Sequence, residues 1–550
     1  VMKKLLLLLI LSLVIMPLYV FGGVPNTGEQ STIIQKQSID DKSLNTEIDL
    51  DVETSVKESG NSQSGESIFI STIIIETSAE VKGVSTDDLI QSYSGKKLTL
   101  SELQNLAQLI SNRYQESGFF LASAYLPPQE IKDGRVLYRV MVGQYGNLNV
   151  IGNDILRLNP LNINKGDLIK LEDLETGLLL LSDTPGINVQ SVLTPGDSVG
   201  TSDLNVNITP GKAYNARIEI DNYGSKYTGD NRAGVSLNLN NPLGFGDVLS
   251  LQGISADRMD YIRMGYELPF NNLASKVGVA YSDMSYTVGE NFATLDAKGS
   301  AKTKSLFFSQ SLLRGRSANL KAQINFDVKD TQDRIDSTSE VTNKSIKLIN
   351  LGISGDRQDN FYGGGNNSFS LTTSLGNLDI ESDAAKSTDD TSAKSDGRFY
   401  KYLLNVSRLQ KVTEKTTLMA SFTKQQSSKN LNSSEKFSGG GPFSVRAYPQ
   451  GEVSADEVNQ LIVEGRYSIS DNTQLKFFVD ILNTKINRDT WAGANSDNNR
   501  NLRGFGGELL WANSSGYSAS VLYARKIGNE AVTTDTDKDD RFWVQLSKSF

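Results

Sequence analysis

The larger, C-terminal part of the chain, from residue 212 to residue 550, alternates strictly between apolar and polar positions over successive short segments. Within NQLIVEGRYSI, for example, Leu461 and Val463 share one face of an extended strand, whereas Glu464 and Arg466 share the other. A period of two is typical of β-strands that have one apolar and one polar face. The pattern therefore predicts a long series of amphipathic strands, without helical periodicity.

Two further features of this part favour a membrane barrel. In QLKFFVDI, Phe477 and Val479 lie on one face of the predicted strand, and Phe478 and Asp480 lie on the other. The closing segment RFWVQLSKSF ends on an aromatic residue, Phe550. At about 20 residues for a strand and its connection, the length suits about sixteen strands. Short turns alternate with long polar connections, at 380–398, 483–500 and 528–540.

The many charges on the polar face are typical of a water-filled lumen. We therefore expect a transmembrane antiparallel β-barrel over residues 211–550. A soluble sandwich is the alternative, because its strands alternate in the same way.

The segment 66–143 combines one helix with several strands. Leu103, Leu106 and Ile110 recur with helical spacing, and Gly118 ends the predicted helix. Strands are predicted on both sides of it, in the order strand, helix, strand, strand. Residues 144–210 repeat this order, which predicts a duplicated small α+β module.

The N-terminal residues have the pattern of an export signal. Lys3 and Lys4 precede an apolar run, which predicts a secretory signal peptide over residues 1–23, with an anchoring helix as the alternative. Residues 24–65 are rich in Ser, Asp, Asn, Thr and Glu, which predicts a polar linker. The alternative for this segment is a short helix or a plug.

Composition removes several function classes. The chain has no cysteine and no histidine, which excludes disulfide scaffolds, thiolate nucleophiles and imidazole-based catalysis. No catalytic constellation, cofactor motif or metal-binding motif stands out in the remaining residues. The net charge is −9 and no basic patch is interleaved with aromatics, so we expect no nucleic acid as a partner.

One loop raises a separate question. The stretch SSEKFSGGGPFSVRAYPQGE contains three consecutive glycines, which no strand interior tolerates well. Arg446 lies near its centre, between Val445 and Tyr448. An arginine within an apolar and aromatic cluster needs a carboxylate partner if it is buried.

Several motifs together resemble the outer-membrane transporters of two-partner secretion, the haemolysin secretion/activation family. The stretch AYLPPQEIKDG resembles the first POTRA domain of that family, and LLLLSDTPGINVQSVLTPGDSVGTSDL resembles the second. DNYGSKYTGDNRAGVSLNLNNPLGFGDVLSLQG resembles the first two barrel strands, and RFWVQLSKSF resembles the closing strand. The glycine-rich stretch resembles the long loop that folds back into the barrel, here residues 435–455.

The resemblance implies an anchor for this loop. In the family, the tip that contains the arginine is held by an aspartate on the lumen face of a neighbouring strand. The matching residues here are Arg446 and Asp480, with Phe478 beside the aspartate and Val445 and Tyr448 beside the arginine. The chain departs from the family pattern at two glycine positions, which are occupied by Ala447 and Leu482.

The resemblance also implies a function. Two POTRA domains, at residues 66–143 and 144–210, would receive a large unfolded exoprotein in the periplasm, such as an adhesin or haemolysin, and the barrel would secrete it. An extended segment of this cargo would pair with a free sheet edge, and the expected edges contain Leu148, Val150, Leu204 and Val206. Other expected partners are outer-membrane lipids and the machinery that inserts barrels.

Three other functions are the alternatives. A barrel-assembly factor shares the loop but usually carries more POTRA domains. A passive porin has no periplasmic modules of this kind. A secreted carboxylate enzyme on a β-scaffold would need paired acidic residues in a recognisable motif, which the chain does not show.

Overall fold

The computed structural model describes residues 50–52, 67–152, 161, 163–494 and 497–550 of the 550-residue chain. The predicted signal peptide and most of the polar segment 24–65 lie outside the described residues. The chain divides into two compact units between Gly211 and Lys212.

The N-terminal unit is an α+β structure. Its helices are α1 (Asp87–Tyr93), α2 (Leu100–Glu116) and α3 (Leu171–Ser182). Its strands are β1 (Leu50–Val52), β2 (Ile68–Ile70), β3 (Thr72–Thr77), β4 (Lys96–Leu98), β5 (Ser123–Tyr125), β6 (Arg135–Met141), β7 (Gln144–Ile151), β8 (Ile187–Pro195) and β9 (Thr201–Pro210).

The first module packs α2 against the sheet β3–β6–β5. Helix α2 begins with a reciprocal capping box, in which Thr99 and Glu102 satisfy each other's backbone amides. Its apolar stripe is buried, and Tyr138 of β6 donates a hydrogen bond from its hydroxyl to the carbonyl of Leu103. The predicted first strand is divided at Ser71 into β2, which pairs with β4, and β3, which pairs with β6.

The second module packs α3 against a four-stranded sheet of order β1–β8–β9–β7. Strand β1, from the segment predicted to be a linker or plug, adds to β8 in parallel. Strand β9 lies between β8 and β7, so the expectation of a free edge at residues 204–208 is wrong. The expected edge at 148–151 belongs to β7, which is the last strand of this sheet.

The C-terminal unit contains a closed barrel of sixteen antiparallel strands, as the alternation predicted. A short hairpin, β21 and β22, lies outside the barrel ladder. The strands are β10 (Tyr214–Asp221), β11 (Arg232–Asn240), β12 (Val248–Ala256), β13 (Met259–Phe270), β14 (Asn272–Thr287), β15 (Ala297–Arg314), β16 (Ala318–Ile335), β17 (Glu340–Asp359), β18 (Gly365–Ile380), β19 (Gly397–Lys411), β20 (Thr416–Ser427), β21 (Phe437–Gly439), β22 (Val453–Ala455), β23 (Glu457–Ser470), β24 (Thr473–Lys485), β25 (Asn499–Ala512), β26 (Tyr517–Lys526) and β27 (Asp540–Ser549).

Strands β10 and β27 close the barrel over five paired positions. The stretch that resembled the first two barrel strands begins at the end of β10 and contains β11 and the start of β12. One connection contains a helix that the periodicity did not predict, α4 (Asp383–Thr391), and short 3₁₀ turns occupy Glu290–Leu295, Phe361–Gly363 and Ser433–Glu435. No helix among the described residues is long and apolar enough to cross a membrane.

The two faces of the strands differ as the alternation requires. Phe477 is 62 % exposed on the outer face, whereas its neighbour Phe478 is 3 % exposed. Asp480 is completely buried although it is charged. The long connections all lie at the barrel end opposite to the start of β10, where 428–456 turns inward. Two short turns, 257–258 and 336–339, lie at the same end.

Candidate functional site: the inward loop

The connection between β20 and β23 lies inside the barrel. It spans residues 428–456, somewhat longer than the predicted 435–455. Near its start, Glu435 contacts Lys329 of β16, and near its tip Arg446 contacts Trp543 of β27. Because a single loop contacts strands distributed around much of a closed barrel, it occupies the lumen. We call residues 428–456 the inward loop.

Glycine conformations allow the chain to reverse within the lumen. Gly440 and Gly441 have φ of +92° and +84°, values that residues with a side chain rarely adopt. A Cβ atom on Gly440 would lie 2.2 Å from the carbonyl oxygen of Pro449. The amide of Gly441 donates to the carbonyl of Tyr448, which closes the tip.

Arg446 is held in the lumen wall by two carboxylates. Its Nη2 and Nε donate to Asp480 at 2.7 and 3.0 Å, and its backbone amide also donates to Asp480 at 3.0 Å. Its Nη1 donates to Glu464 at 2.6 Å. Glu464 also accepts from Arg466 at 2.9 Å, so two cations and two carboxylates form a compact neutral cluster. Such charge-assisted, forked bonds are the geometry that guanidinium groups favour.

Aromatic side chains complete the arginine site. The guanidinium carbon of Arg446 lies 3.4 Å from the centre of the Phe478 ring, in position for a cation–π contact. The indole Nε1 of Trp543 donates to the backbone carbonyl of Arg446 at 2.8 Å. Trp543 also packs edge-to-face on Tyr223, which follows β10. These contacts connect the loop tip to both strands that close the barrel.

The residues on either side of Arg446 are packed into the wall. Val445, Ala447 and Tyr448 are fully buried, and the Tyr448 hydroxyl donates to the carbonyl of Glu530 at 3.1 Å. A Cβ atom on Gly504 would lie 2.6 Å from the Cβ of Ala447. Gly504, the first glycine of GFGGELL, therefore makes room for the loop tip.

The two departures from the family pattern are accommodated. Ala447 is not among the residues with positive φ, so its position does not require glycine. Leu482 is completely buried, and a Cβ on Gly439 of the loop would lie 2.3 Å from Leu482 Cδ2. The larger side chain on the strand is thus matched by a glycine on the facing loop.

The base of the inward loop has its own polar anchors. Glu435 is 1 % exposed and is paired with Lys329 at 2.7 Å and with Lys401 at 2.8 Å. Glu452, farther along the loop, accepts from Arg500 at 2.7 Å and from the backbone amide of Thr533 at 2.8 Å. The loop is therefore held at several points along its length.

Sequence reasoning missed several of these partners. It placed Glu464 on the polar face but did not connect it to Arg446, and it did not single out Trp543, Glu435 or Glu452. The available signal was the position of Trp543 between Phe542 and Val544, which puts a tryptophan on the polar face. Nothing in the local pattern identifies which cation a loop carboxylate contacts.

The other predicted site residues lie elsewhere. Leu148 and Val150 are on β7 and pair with Leu204 and Val206 of β9. The two β9 side chains are buried in the core of the module. Phe550 follows β27, is 52 % exposed, and donates its amide to the carbonyl of Ala216 at 2.9 Å.

Comparisons with known proteins agree with this architecture. The family described as haemolysin secretion/activation protein ShlB/FhaC/HecB matches residues 200–461, and the ShlB-type POTRA domain matches residues 68–143. The heme/hemopexin transporter protein HuxB of Haemophilus influenzae (strain 86-028NP) is 27% identical over 483 residues, which is 85% of each chain.

A second group of relatives is named CdiB. The outer membrane transporter CdiB of Escherichia coli O6:K15:H31 (strain 536 / UPEC) is 23% identical over 418 residues, which is 74% of this chain and 70% of that protein. A solved structure of CdiB from Escherichia coli has a TM-score of 0.73 at 18% identity, and the match covers 95% of this chain and 96% of that one. Residues 68–143 are therefore a ShlB-type POTRA domain and residues 200–461 a domain of the ShlB/FhaC/HecB haemolysin secretion/activation family, and together they are parts of an outer-membrane transporter of two-partner secretion.

Proposed function

We propose that this transporter exports one dedicated exoprotein and that the inward loop is the gate of its pore. The observation that carries the proposal is the Arg446 cluster, which holds a long loop inside the barrel through buried polar contacts. A lumen filled in this way does not pass an extended polypeptide. Export then requires the loop to leave this position or to move aside.

The loop contacts suit reversible release. Besides the apolar cluster around its tip, the loop is held by ion pairs and hydrogen bonds, such as Glu435 to Lys329 and Glu452 to Arg500. Water can replace these bonds one by one once the lumen opens, because each partner is a strong donor or acceptor for water. The apolar contacts of the tip give up their burial when it leaves, so they are the main cost of release.

The periplasmic modules would capture the cargo in an extended form. Of the two expected edges, only β7 is the last strand of its sheet. Leu148 and Val150 lie in the part of β7 that pairs with β9 on its inner side. An added strand gains main-chain hydrogen bonds without requiring a particular sequence, which suits an unfolded segment. The same module carries β1 on its other edge, so addition there would have to displace the chain's own strand.

The relatives indicate which exoprotein to examine first. HuxB is named a heme/hemopexin transporter, and its match covers most of both chains. We therefore propose a haem-related exoprotein as the first cargo to test, ahead of an adhesin, a haemolysin or a contact-dependent toxin. The chain has no recognisable nucleotide-binding motif, so folding of the cargo outside the cell is the proposed driving force.

The decisive experiment compares secreted and surface proteins of cells with and without this chain. We expect the loss of one large exported protein, while other outer-membrane proteins stay at their normal levels. Complementation with the wild-type chain should restore that protein. A general decrease of many barrel proteins would instead assign the chain to barrel assembly and contradict the proposal.

A further inference from the structure

The outer face of the barrel carries an ordered boundary between apolar and basic residues on strands β14–β19. The orientation of these strands follows from the inward loop. Lys329 and Lys401 contact Glu435 of that loop, so both side chains point into the lumen. Their neighbours Val328 and Tyr400 therefore point outward, because successive side chains alternate along a strand.

One row of paired outward positions is entirely apolar. Each residue in it is directly opposite the next on the neighbouring strand, and all are between 39 and 61 % exposed. The row consists of Val279, Leu306, Phe326, Ile349, Leu375 and Tyr400. This surface is suited to the acyl chains of membrane lipids.

The next outward row, two residues farther along every strand, contains three cations and no carboxylate. It consists of Tyr281, Lys304, Val328, Lys347, Asn377 and Arg398, again paired in register from β14 to β19. We call Lys304, Lys347 and Arg398 the basic row. They lie on every second strand, so neighbouring cations are about 10 Å apart.

The basic row is available for an external anion. Lys304 Nζ lies 3.4 Å from Asp330, and its side chain remains 64 % exposed. In the described part of the chain, no carboxylate lies within ion-pair distance of Lys347 or Arg398, and both residues are exposed. Among the described residues, Lys347 and Arg398 therefore carry their charges without an ion-pair partner, in a protein whose net charge is −9.

The spacing of charges along the strands places the basic row at a membrane boundary. On β17, Lys347 and Arg357 are both exposed and lie ten residues apart on the outer face. Ten residues span about 33 Å along a strand, which at a tilt of about 40° is about 25 Å across the membrane. This equals the height of the apolar band on barrels of this type.

The boundary in question is the one that faces the cell surface. Lys347 lies in the first half of β17, which begins at Glu340 at the barrel end that carries the long connection 381–396 between β18 and β19. The opposite end is where β10 begins, after the segment that contains the POTRA domain. The family is inserted with its POTRA domains in the periplasm, so the basic row lies at the outer leaflet.

We propose that Lys304, Lys347 and Arg398 bind phosphate groups on lipids of the outer leaflet. Their long side chains extend the charge from the strand toward the headgroups, while the apolar row beneath them packs on the acyl chains of the same lipid. The combination of both surfaces selects a phosphorylated lipid over free phosphate. The binding is expected to weaken as salt concentration increases, because exposed charges are screened.

The test measures binding of purified lipid A to the full chain in detergent. The triple variant Lys304→Gln, Lys347→Gln, Arg398→Gln removes the basic row. The matched control, Arg357→Gln, Lys411→Gln, Lys415→Gln, removes three exposed cations at the opposite end of the barrel. We expect the first variant to bind lipid A at least about tenfold more weakly than the wild type, and the control to bind normally.

Two further probes identify what is recognised. Lipid A from which the phosphates have been removed should bind the wild type as weakly as lipid A binds the triple variant. Inorganic phosphate at the same concentration should not displace bound lipid A. Heat-modifiable gel migration verifies that each variant has folded. Lys347→Gln alone removes one of the three cations and should weaken lipid A binding less than the triple variant does.

Three results would overturn the proposal. Unchanged affinity of the triple variant would show that the row is not the site. Equal binding of dephosphorylated lipid A would show that only acyl chains are recognised. Displacement by inorganic phosphate would show that the site binds the free ion and does not require a lipid.

Discussion

At the tip of the inward loop, Arg446 uses its side-chain donors on two carboxylates and lies against Phe478 and Trp543. A buried charge of this kind is stable only while every partner is present, because removing one leaves another buried and unpaired. The site is therefore sensitive to single substitutions on either side. Lysine cannot replace the arginine, since it has no forked donor geometry.

Replacing either member of the main pair should release the loop. Arg446→Ala leaves Asp480 buried without its guanidinium, at a cost of about 3–5 kcal/mol to the docked loop. Asp480→Ala should behave alike, somewhat less severely, because Glu464 still pairs with Arg446. Both variants should insert normally but secrete poorly, because the released loop stays in the lumen without the defined position from which it moves aside for export. Secretion is measured as exoprotein in the medium. Wild-type secretion by both would contradict the anchoring role.

Gly504 provides a steric test that removes no charge. In Gly504→Val, the new side chain collides with Ala447, whose Cβ lies 2.6 Å from the added Cβ position. The loop tip should be displaced, so protease sensitivity of residues 437–452 should increase. Gly465→Val is the matched control, because nothing lies within 4 Å of a Cβ there. Equal protease sensitivity of both variants would show that Gly504 is not the contact site of the loop tip.

At the scale of elements, two kinds of local structure determine how the modules and the loop are assembled. In the first POTRA module, the capping box of Thr99 and Glu102 fixes the start of α2, whose apolar stripe forms the core. In the barrel, the hairpin of β21 and β22 stiffens the inward loop outside the main ladder. Helix start and loop stiffness thus depend on a few local hydrogen bonds.

Loss of the helix cap should loosen one element without affecting the barrel. Thr99→Ala removes the acceptor for the Glu102 amide and should destabilise α2 by about 1 kcal/mol. Hydrogen exchange in residues 100–106 should become faster, while exchange in the barrel strands stays unchanged. Ser101→Ala in the same turn is the control, and equal effects of both variants would argue against the cap.

The same cap gives a pH dependence with a definite sign. Hydrogen bonds from the amide and hydroxyl of Thr99 lower the pKa of Glu102 below its usual value. Because the pKa is lower in the folded state, this stabilisation is present above the ordinary glutamate pKa and is lost as the pH falls through the folded value. Exchange at the start of α2, corrected for its intrinsic rate, should therefore increase on acidification. Glu102→Gln should remove that dependence.

At the scale of the whole molecule, the inward loop connects parts of the barrel that are far apart in sequence. It is bound to β16 through Lys329 and to β27 through Trp543, on the strand that pairs with β10. Movement of the loop therefore breaks contacts on several strands together. The closed arrangement is a property of the complete barrel.

A reversible lock tests whether this movement is required for export. The chain has no cysteine, so Ala447→Cys with Gly504→Cys introduces a single possible disulfide. The Cβ positions of residues 447 and 504 are 2.6 Å apart. They need to separate by about 1 Å to reach the Cβ–Cβ distance of an ordinary disulfide. Oxidised protein should not secrete, and reduction should restore secretion. Each single cysteine variant is a control, and secretion by the oxidised double variant would show that the docked loop does not block export.

Local pattern was sufficient to predict most of the long elements of this protein. Alternation with a period of two predicted the barrel strands and the apolar face of several of them, because side chains alternate on a strand whatever its neighbours are, and chain length predicted about sixteen. It also placed Asp480 on the polar face, and the family resemblance connected that residue with Arg446. A helical stripe predicted α2 for the same reason. The short helix α4 was not predicted, because its nine residues are mainly small and polar.

Only the tertiary structure decided which strand faces, strand edges and loop residues contact one another. The pairs Glu435 with Lys329 and Trp543 with Arg446 join residues 106 and 97 positions apart, which no local pattern specifies. Strand β9 became an interior strand because β7 and β8 pair on both of its sides. The cations of the basic row became neighbours through the register of six strands. Sequence determines each strand and its two faces, whereas closure of the barrel determines what those faces contact.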